Sequence, residues 1–259
     1  MKKSIFIILA CTFFCQTSCN NGQEKNYFEK FEYNNSFCYI PSGNVINFDY
    51  VFFLPSKEMN PTVAKVIKEL VFKDLDFENI DFTVDNYKDV IDQYIKIFVD
   101  TTYKTYYIYS PDFEYDDFYI DKVDSLYFLN EDIIGKYYRT VDYTGGEHVM
   151  IDYYYTYFDA NTGIVYDYNN VFSDKEKVSD MIIKRLNKMD EDENIEISLL
   201  DSNDIAPQFE LKPDTMVFVF NIGEVASYTS GAIDVPFAFE EIKEYMNNST
   251  PIYKYFNKK

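Results

Sequence analysis

Three extended runs in the middle of the chain, residues 118–129, 134–143 and 147–158, constrain the fold more than any other feature. All three are rich in tyrosine, phenylalanine and β-branched residues, which favour β-strands. In the third run every second residue from Val149 to Tyr157 is aliphatic or tyrosine, so these side chains share one face of a strand. Successive strands with short connections pair antiparallel, and the runs therefore predict an antiparallel sheet.

The connection before the third run contains Gly145, Gly146 and then His148, the only histidine in the chain. The two glycines can adopt the positive φ angles that a tight hairpin turn requires. A histidine after such a turn can act as a general base, or it can simply pack in the strand that follows. The sequence has no GxSxG serine elbow to accompany it, so we interpret His148 as a strand residue after a turn.

The N-terminal half predicts a strand pair followed by two helices. Residues 37–54 are rich in aromatic and β-branched residues and contain a proline–glycine break, which indicates two strands. Asn60 can cap a helix whose first position is Pro61, and apolar residues then follow at helical spacing. Asp85 can cap a second helix, whose C-terminal end is undefined because residues 101–109 have strand-like composition.

The C-terminal half predicts two more helices and a hairpin. Residues 173–176, Ser-Asp-Lys-Glu, form a capping box that opens a helix, and we expect the acidic run 190–193 to be a solvated loop. Residues 209–211 and 216–220 predict a hairpin around a proline-containing turn. A last helix is expected at about residues 239–246.

Together these elements predict an α+β fold, an antiparallel β-sheet with helices packed on one face. We expect a smaller N-terminal α+β subdomain at residues 30–112 and a larger C-terminal α+β domain at 113–247. Residues 1–18 are expected to form a signal peptide, residues 19–29 a tether and residues 248–259 a tail.

The N-terminal segment has the features of an export signal. Lys2 and Lys3 precede an apolar run, residues 4–14, that is too short to span a bilayer. The sequence that follows, CQTSC, resembles the site at which a bacterial lipoprotein is cut and lipidated, here on Cys19. An ordinary signal peptide cut nearby and an uncleaved anchor are the alternatives. We therefore expect a cell-envelope protein, periplasmic or surface-exposed, that is held at a bacterial membrane by an N-terminal lipid alone.

The remaining cysteine and the net charge limit the partners of the chain. Cys38 is left without an intramolecular partner, so we expect no disulfide and interpret Cys38 as a small buried residue. The chain has 24 basic and 44 acidic residues, a net charge of −20. This charge opposes binding to nucleic acid and to anionic lipid and favours cationic partners, although acidity also serves solubility alone.

Conventional signs of catalysis and of metal binding are scarce in this sequence. One histidine and one remaining cysteine are a poor ligand set for zinc, and no EF-hand loop, P-loop or dinucleotide-binding glycine motif is present. Two of the many carboxylates could still meet in a cleft and cleave a glycosidic bond. The sequence therefore predicts a protein without cofactor or metal and leaves a glycan hydrolase open.

Several blocks of the C-terminal half form an ordered series that a known family shares. They are YTGGEHV (143–149), FDANTG (158–163), VF (171–172) and FELKPDTMVFVFNIGEVASYTSGAIDVPFAFEEI (209–242). This series resembles the extracytoplasmic domain of unknown function in RsiV-like anti-sigma factors, which sense lysozyme, and in PdaC-like peptidoglycan deacetylases. Residues 33–72 are similar to the smaller N-terminal partner domain of the same proteins. The family usually reads GGAHG, whereas Glu147 and Val149 flank the histidine here. The resemblance implies a non-catalytic extracytoplasmic module.

We therefore predict a lipid-anchored cell-envelope protein that binds a ligand and is not an enzyme. The expected ligand is a cationic protein such as lysozyme, or cell-wall material such as peptidoglycan. The candidate binding surface comes from the tyrosine-rich segments: Tyr143, His148, Tyr153, Tyr155 and Tyr228. A peptidoglycan- or glycan-acting hydrolase with paired carboxylates and a structural envelope lipoprotein without catalysis are the alternatives.

Overall fold

The computed structural model describes residues 26–38, 45–74, 87–109, 118–143, 148–193, 195, 197 and 207–257. Six strands form the main sheet in chain order: β1 (Phe28–Cys38), β2 (Val45–Pro55), β3 (Phe118–Asn130), β4 (Ile133–Tyr143), β5 (Met150–Asp159) and β6 (Val165–Tyr166). A second sheet contains β7 (Gln208–Lys212), β8 (Thr215–Phe220) and β9 (Ile233–Ala238). The α-helices are α1 (Pro61–Asp74), α2 (Tyr87–Tyr109), α3 (Tyr168–Val171), α4 (Lys175–Glu193), α5 (Phe239–Ile242) and α6 (Pro251–Phe256).

The main sheet contains one parallel joint. Its neighbouring strands pair antiparallel except β2 and β3, which run parallel with Tyr50 opposite Lys122. A parallel pair requires a long crossover connection, and the segment between β2 and β3 contains α1 and α2. The predicted α+β class is confirmed, with a parallel joint that the strand patterns did not indicate. The two predicted halves share this sheet, and the boundary between residues 112 and 113 stays a prediction.

Two hydrophobic cores lie on opposite faces of the main sheet. Side chains alternate between the faces along each strand, so Ile134 and Phe158 pack in the core with α1 and α2. Their neighbours Ile133 and Tyr157 pack instead in the core that contains the second sheet and α4. We call the side covered by α1 and α2 the helix face, and the other side of β1 to β4 the open face.

The first two helices begin largely as predicted. Asn60 Oδ1 accepts a hydrogen bond of 2.9 Å from the Thr62 N–H, as a cap does, and α1 buries Val63 and Ile67. Asp85 lies outside the described residues. The strand-like composition of residues 101–109 is misleading, because these residues continue α2. A helix that is already nucleated gains one backbone hydrogen bond for each residue it adds, and this gain outweighs a weak β propensity.

The helix α4 differs from the prediction at both ends. Asp174, and not Ser173, caps it, because Asp174 Oδ1 accepts from the Lys177 N–H at 3.1 Å. The Ser173 hydroxyl instead donates to the Tyr245 carbonyl at 2.9 Å. The acidic run 190–193 belongs to the helix and is not a loop. Acidic side chains are compatible with a solvated helix surface, so the run continues the helix instead of ending it.

The C-terminal segment also departs from the prediction. The expected helix at residues 239–246 divides into α5 and a 3-10 turn, Lys243–Tyr245, while the expected tail contains α6. Thr250 caps α6, and Phe256 is buried with its ring stacked on Phe239 at 4.8 Å. The hairpin of β7 and β8 is confirmed.

Side-chain amides occupy part of the outer edge of β5, because β6 pairs only with Tyr157 and Phe158. Asn221 Oδ1 accepts from the Tyr153 N–H at 2.8 Å, and Gln208 Oε1 accepts from the Tyr155 N–H at 2.9 Å. The amide nitrogen of Gln208 donates to the Tyr153 carbonyl at 2.5 Å. These bonds join the second sheet to the main sheet without a continuous strand pair.

Cys38 is exposed, so its interpretation as a buried residue is wrong. Phe31 and Tyr33 are buried on the helix face of β1, and strand alternation places Cys38 on the open face. Among the helices of the described residues, none is long and apolar enough to cross a membrane.

Candidate functional site

Exposed and half-buried aromatic rings lie at the end of the main sheet where β3 begins and β4 ends. Tyr119 and Tyr143 are directly opposite each other, and their rings stack at 5.8 Å with an interplanar angle of 29°. The His148 ring stacks on Tyr228 at 4.4 Å. We call these four residues the aromatic end.

Tyr228 connects the two ring pairs and fixes a loop of the second sheet against β5. It lies in the 3-10 turn Tyr228–Ser230, between β8 and β9, and its hydroxyl donates to the Val149 carbonyl. Burial raises the pKa of Tyr119, and the charges of Tyr143 and Tyr228 raise it further. The fold thus brings together residues that are far apart in the sequence.

The five predicted surface residues therefore divide into two groups. Tyr143, His148 and Tyr228 belong to the aromatic end, together with Tyr119, which the sequence analysis did not single out. Tyr155 instead packs beside the C-terminal core with its ring 5.3 Å from Tyr137, and burial is the main cause of its raised pKa. Tyr153 is half-buried, and its backbone is bonded to the Asn221 and Gln208 amides. Their role in binding stays a prediction.

Polar and acidic side chains continue from the aromatic end across the open face. The strand register aligns Asn34, Asp49 and Asp121 in one row across β1, β2 and β3. Asp121 forms an ion pair of 2.7 Å with Arg139, and each side chain is about one-third exposed. Burial raises the pKa of the Asp121 carboxyl, and Arg139 opposes this effect. The surface beside the aromatic end is therefore predominantly acidic.

A buried charge cluster lies on the helix face. Lys136 Nζ donates to Asp74 Oδ2 at 2.6 Å and lies 3.2 Å from Asp124 Oδ2. Lys136 and Asp124 are each 1% exposed, and neither Asp124 oxygen has a well-aligned hydrogen bond within the described part of the chain. Burial raises the pKa of Asp124 to about 7, although Lys136 acts in the opposite direction. Sequence reasoning missed this cluster, because Asp74 and Lys136 belong to distant elements.

A cavity of about 360 Å³ opens beside the charge cluster, between the end of α1 and strands β3 to β5. We call this cavity the polar groove. Its walls carry Asp74, Tyr138, Thr140, Asp142, Asp152 and Tyr154, and Lys73 and Lys122 also line it. The rings of Tyr138 and Tyr154 stack at 5.7 Å with an interplanar angle of 27°.

The carboxylates of these sites bear on the hydrolase alternative. Asp74 and Asp124 flank the same ammonium, and Asp124 is fully buried, so this pair does not face a substrate cleft as two glycosidase carboxylates do. No group of three or more His, Cys, Asp or Glu residues in the described ranges could hold a metal ion.

Comparison with known proteins finds a family that part of this chain resembles. Residues 169–240 match the model of DUF3298, a protein family of unknown function. Part of this chain therefore resembles a DUF3298 domain. The match covers part of the C-terminal half, including α4, the second sheet and Tyr228. No curated protein matches the chain.

Two solved structures of DUF3298 proteins share the fold over most of the chain. A member of the family from Bacteroides fragilis superposes with a TM-score of 0.70 at 16% identity, over 90% of this chain and 97% of the other. A DUF3298 family protein from Pseudomonas aeruginosa gives 0.56 at 11% identity, over 87% of this chain and 95% of the other. At these identities the likeness establishes the fold alone, and DUF3298 carries no assigned activity.

Proposed function

We propose that this protein is a lipid-anchored binding protein of the bacterial cell envelope that acts without catalysis. Its expected partner is a cationic protein such as lysozyme, bound through the aromatic end and the acidic surface beside it. The single observation that carries this proposal is the pair of ring stacks at the surface, Tyr119 on Tyr143 and His148 on Tyr228, in which Tyr119 and His148 are exposed and Tyr143 and Tyr228 are half-buried.

Tyrosine rings at a surface suit protein recognition. A tyrosine offers a large, rigid and amphipathic contact area with few rotatable bonds, and such residues dominate the energy of protein interfaces. Tyr119 is 37% exposed although its ring stacks on Tyr143, so the pair presents aromatic area to solvent without needing to reorganise. Preorganised rings lose little entropy when a partner binds.

The charge of the chain supports a basic partner. A net charge of −20 attracts cationic proteins over long range and raises their association rate. Asp49 and Asp121 lie on the same face as Tyr119 and add acidic groups next to the rings. The resemblance to RsiV-like domains, which sense lysozyme, gives the partner class that the charge alone does not specify.

The envelope location rests on the N-terminal segment. Lys2, Lys3, the apolar run and Cys19 together resemble a lipoprotein signal, and a lipid on Cys19 would hold the binding domain close to a membrane. These residues lie outside the described part of the chain.

Calorimetry of the mature protein with hen lysozyme tests the proposal. We expect saturable binding that persists at about 0.15 M salt, where the Debye length is about 8 Å. A basic protein of similar size and unrelated shape serves as control. Equal binding of both proteins that disappears together as salt rises would reduce the effect to nonspecific charge attraction.

A matched pair of variants locates the binding surface. Tyr119→Ala should weaken lysozyme binding at least about tenfold, as loss of an interface hot spot does. Phe128→Ala removes an equally exposed ring near the other end of β3 and should leave affinity unchanged. Saturable binding to peptidoglycan and not to lysozyme would identify cell-wall material as the ligand. Release of soluble fragments from peptidoglycan would favour the hydrolase.

A further inference from the structure

The polar groove contains a carboxylate that forms no ion pair with any residue of the described part of the chain. Asp152 is half-buried on β5, and within the described ranges its carboxyl group has neither a hydrogen bond nor an ion pair. Burial is the one cause that raises the pKa of its carboxyl group. A partly desolvated carboxylate without a partner is costly, and a cation beside it would remove part of that cost.

The surroundings of Asp152 are acidic and aromatic. The phenol of Tyr154, on the same strand and the same face, has a raised pKa because of burial and because of nearby carboxylates. Those carboxylates are Asp152, Glu224, Asp74 and Asp142. Asp74 already bonds Lys136, and Asp142 accepts from the Thr140 hydroxyl at 2.8 Å. Among the acids that line the groove, Asp152 is therefore the one that a ligand can bind without displacing an existing hydrogen bond or ion pair.

The stacked tyrosine rings also favour the binding of a cation in the groove. The face of a tyrosine ring attracts a cation held within about 6 Å, and the attraction grows when the cation is desolvated. Tyr138 is buried and Tyr154 is 42% exposed, so the ring pair extends from the wall of the groove to its opening. The Tyr138 ring is already covered by Tyr154 and by the Lys136 ammonium, which lies 4.8 Å from its centroid. An aliphatic chain therefore lies along Tyr154 while its charged end approaches Asp152.

The size of the groove fits a single side chain or a small amine. Its volume of about 360 Å³ is at the lower end of the range for ligand pockets, about 300–1,000 Å³. Lys73 and Lys122 also line it, so its three aspartates exceed its lysines by one charge, and the site suits one cationic group. The three-carboxylate arrangement that a metal ion would favour is absent from the described residues.

We propose that the polar groove is a binding site for an organic cation, either the ammonium group of a lysine or the guanidinium group of an arginine. The charge lies against Asp152, and the aliphatic chain lies over the exposed ring of Tyr154. The same chemistry could come from a side chain of a bound protein or from a free amine. This site is on the helix face, whereas the aromatic end includes rings of the opposite face, so the proposal is independent of lysozyme binding.

Titration of the full mature protein with three small probes tests the site by NMR chemical-shift perturbation. The probes are Nα-acetyl-lysine methylamide, Nα-acetyl-arginine methylamide and the neutral analogue Nα-acetyl-norleucine methylamide. We expect saturable shifts with at least one cationic probe and none with the neutral probe. n-Butylamine, a monoamine without a peptide backbone, is a fourth probe, and its tighter binding would identify a free amine as the ligand. Equal binding of the neutral probe, or no saturation with any cation, would overturn the proposal.

Paired variants separate this site from general charge attraction. Asp152→Asn should weaken binding of the cationic probe about tenfold, because it removes the charge-assisted contact. Asp234→Asn makes the same change in net charge at an exposed position of β9, outside the groove, and should have no effect. Equal losses in the two variants would overturn the proposal.

A third variant addresses the rings and does not depend on the carboxylate. Tyr154→Leu removes an exposed ring and should weaken binding several-fold while the protein stays folded. Unchanged affinity in Tyr154→Leu would contradict the proposed position of the cation. Lysozyme binding without binding of any small cation would refute this site and leave the proposed function intact.

Discussion

The side-chain amide of Gln208 takes the place of a neighbouring strand beside Tyr155, accepting its N–H at 2.9 Å and donating to the Tyr153 carbonyl at 2.5 Å. An amide side chain has the same donor and acceptor as a peptide group, so it can satisfy a strand edge where no strand fits. Since Gln208 is the first residue of β7, these bonds also fix the second sheet against the first.

Gln208→Ala should destabilise the protein by about 1–3 kcal/mol, because it leaves the half-buried Tyr155 N–H without an acceptor. Urea unfolding followed by circular dichroism measures the change. Asn169→Ala removes an amide that makes an exposed hydrogen bond to Lys175 and should change the free energy of unfolding by less than about 0.5 kcal/mol. Equal changes in the free energy of unfolding for the two variants would show that the Gln208 amide does not stabilise the edge of β5.

Gly135→Ala should destabilise the protein through the ring of Tyr127, which covers this glycine from the neighbouring strand. A Cβ at residue 135 would lie 2.5 Å from Cζ of Tyr127, so the ring must move. We expect a loss of about 1–3 kcal/mol, and a smaller loss when Tyr127→Ala is already present. A double-mutant cycle by denaturant unfolding measures this difference, and strictly additive losses would contradict the contact.

Asp124→Asn should change how stability depends on pH. Unfolded Asp124 loses its proton at about pH 3.9, whereas the folded residue keeps it until about pH 7. Between these values the folded state binds more protons, so this group makes the free energy of unfolding fall as pH rises. We expect a shallower fall between about pH 5 and about pH 7.5 in Asp124→Asn, measured by urea unfolding at each pH.

Asp49→Asn is the control for this pH dependence, since Asp49 is an exposed carboxylate on the opposite face. Its pH profile should match that of the unmodified protein. If the free energy of unfolding of Asp124→Asn and of the unmodified protein depends on pH in the same way, the pKa of Asp124 is the same in the folded and unfolded states.

Cys19→Ala should release the protein from membranes. A lipid chain contributes about 0.8 kcal/mol for each buried CH₂ group, and among the described helices none is long and apolar enough to cross a bilayer. Fractionation of cells that express the variant, followed by a salt wash of the membranes, measures the effect. Variant protein that stays in the washed membrane fraction would refute lipid attachment at Cys19.

Local signals in the sequence predicted those parts of the fold that depend on neighbouring residues. Asn60 and Pro61 mark the start of α1 because capping involves only the first turn. The same signal occurs at Thr250 and Pro251, where α6 begins in a segment that was expected to be a tail. Composition was misleading at residues 101–109 and 190–193, because both segments continue a helix that has already begun.

The candidate sites depended on contacts that no local pattern contains. Tyr228 reaches Val149 from 79 residues away, and Lys136 meets Asp74 from 62 residues away. Strand alternation does place Asp152 and Tyr154 on one face, so the β5 wall of the polar groove could be predicted from the sequence. The end of α1 that completes the groove follows from the parallel joint, which the sequence did not indicate.

That joint between β2 and β3 also has a consequence for the order of folding. The hairpin of β1 and β2 and the meander of β3, β4 and β5 each form from segments that are close in the chain. Joining them aligns Ile46 with Phe118 and requires closure of the long connection that carries both helices. Contacts of such high sequence separation form late and slow a folding reaction, so the exposed edges of β2 and β3 are the part of this chain most open to misassociation while it folds.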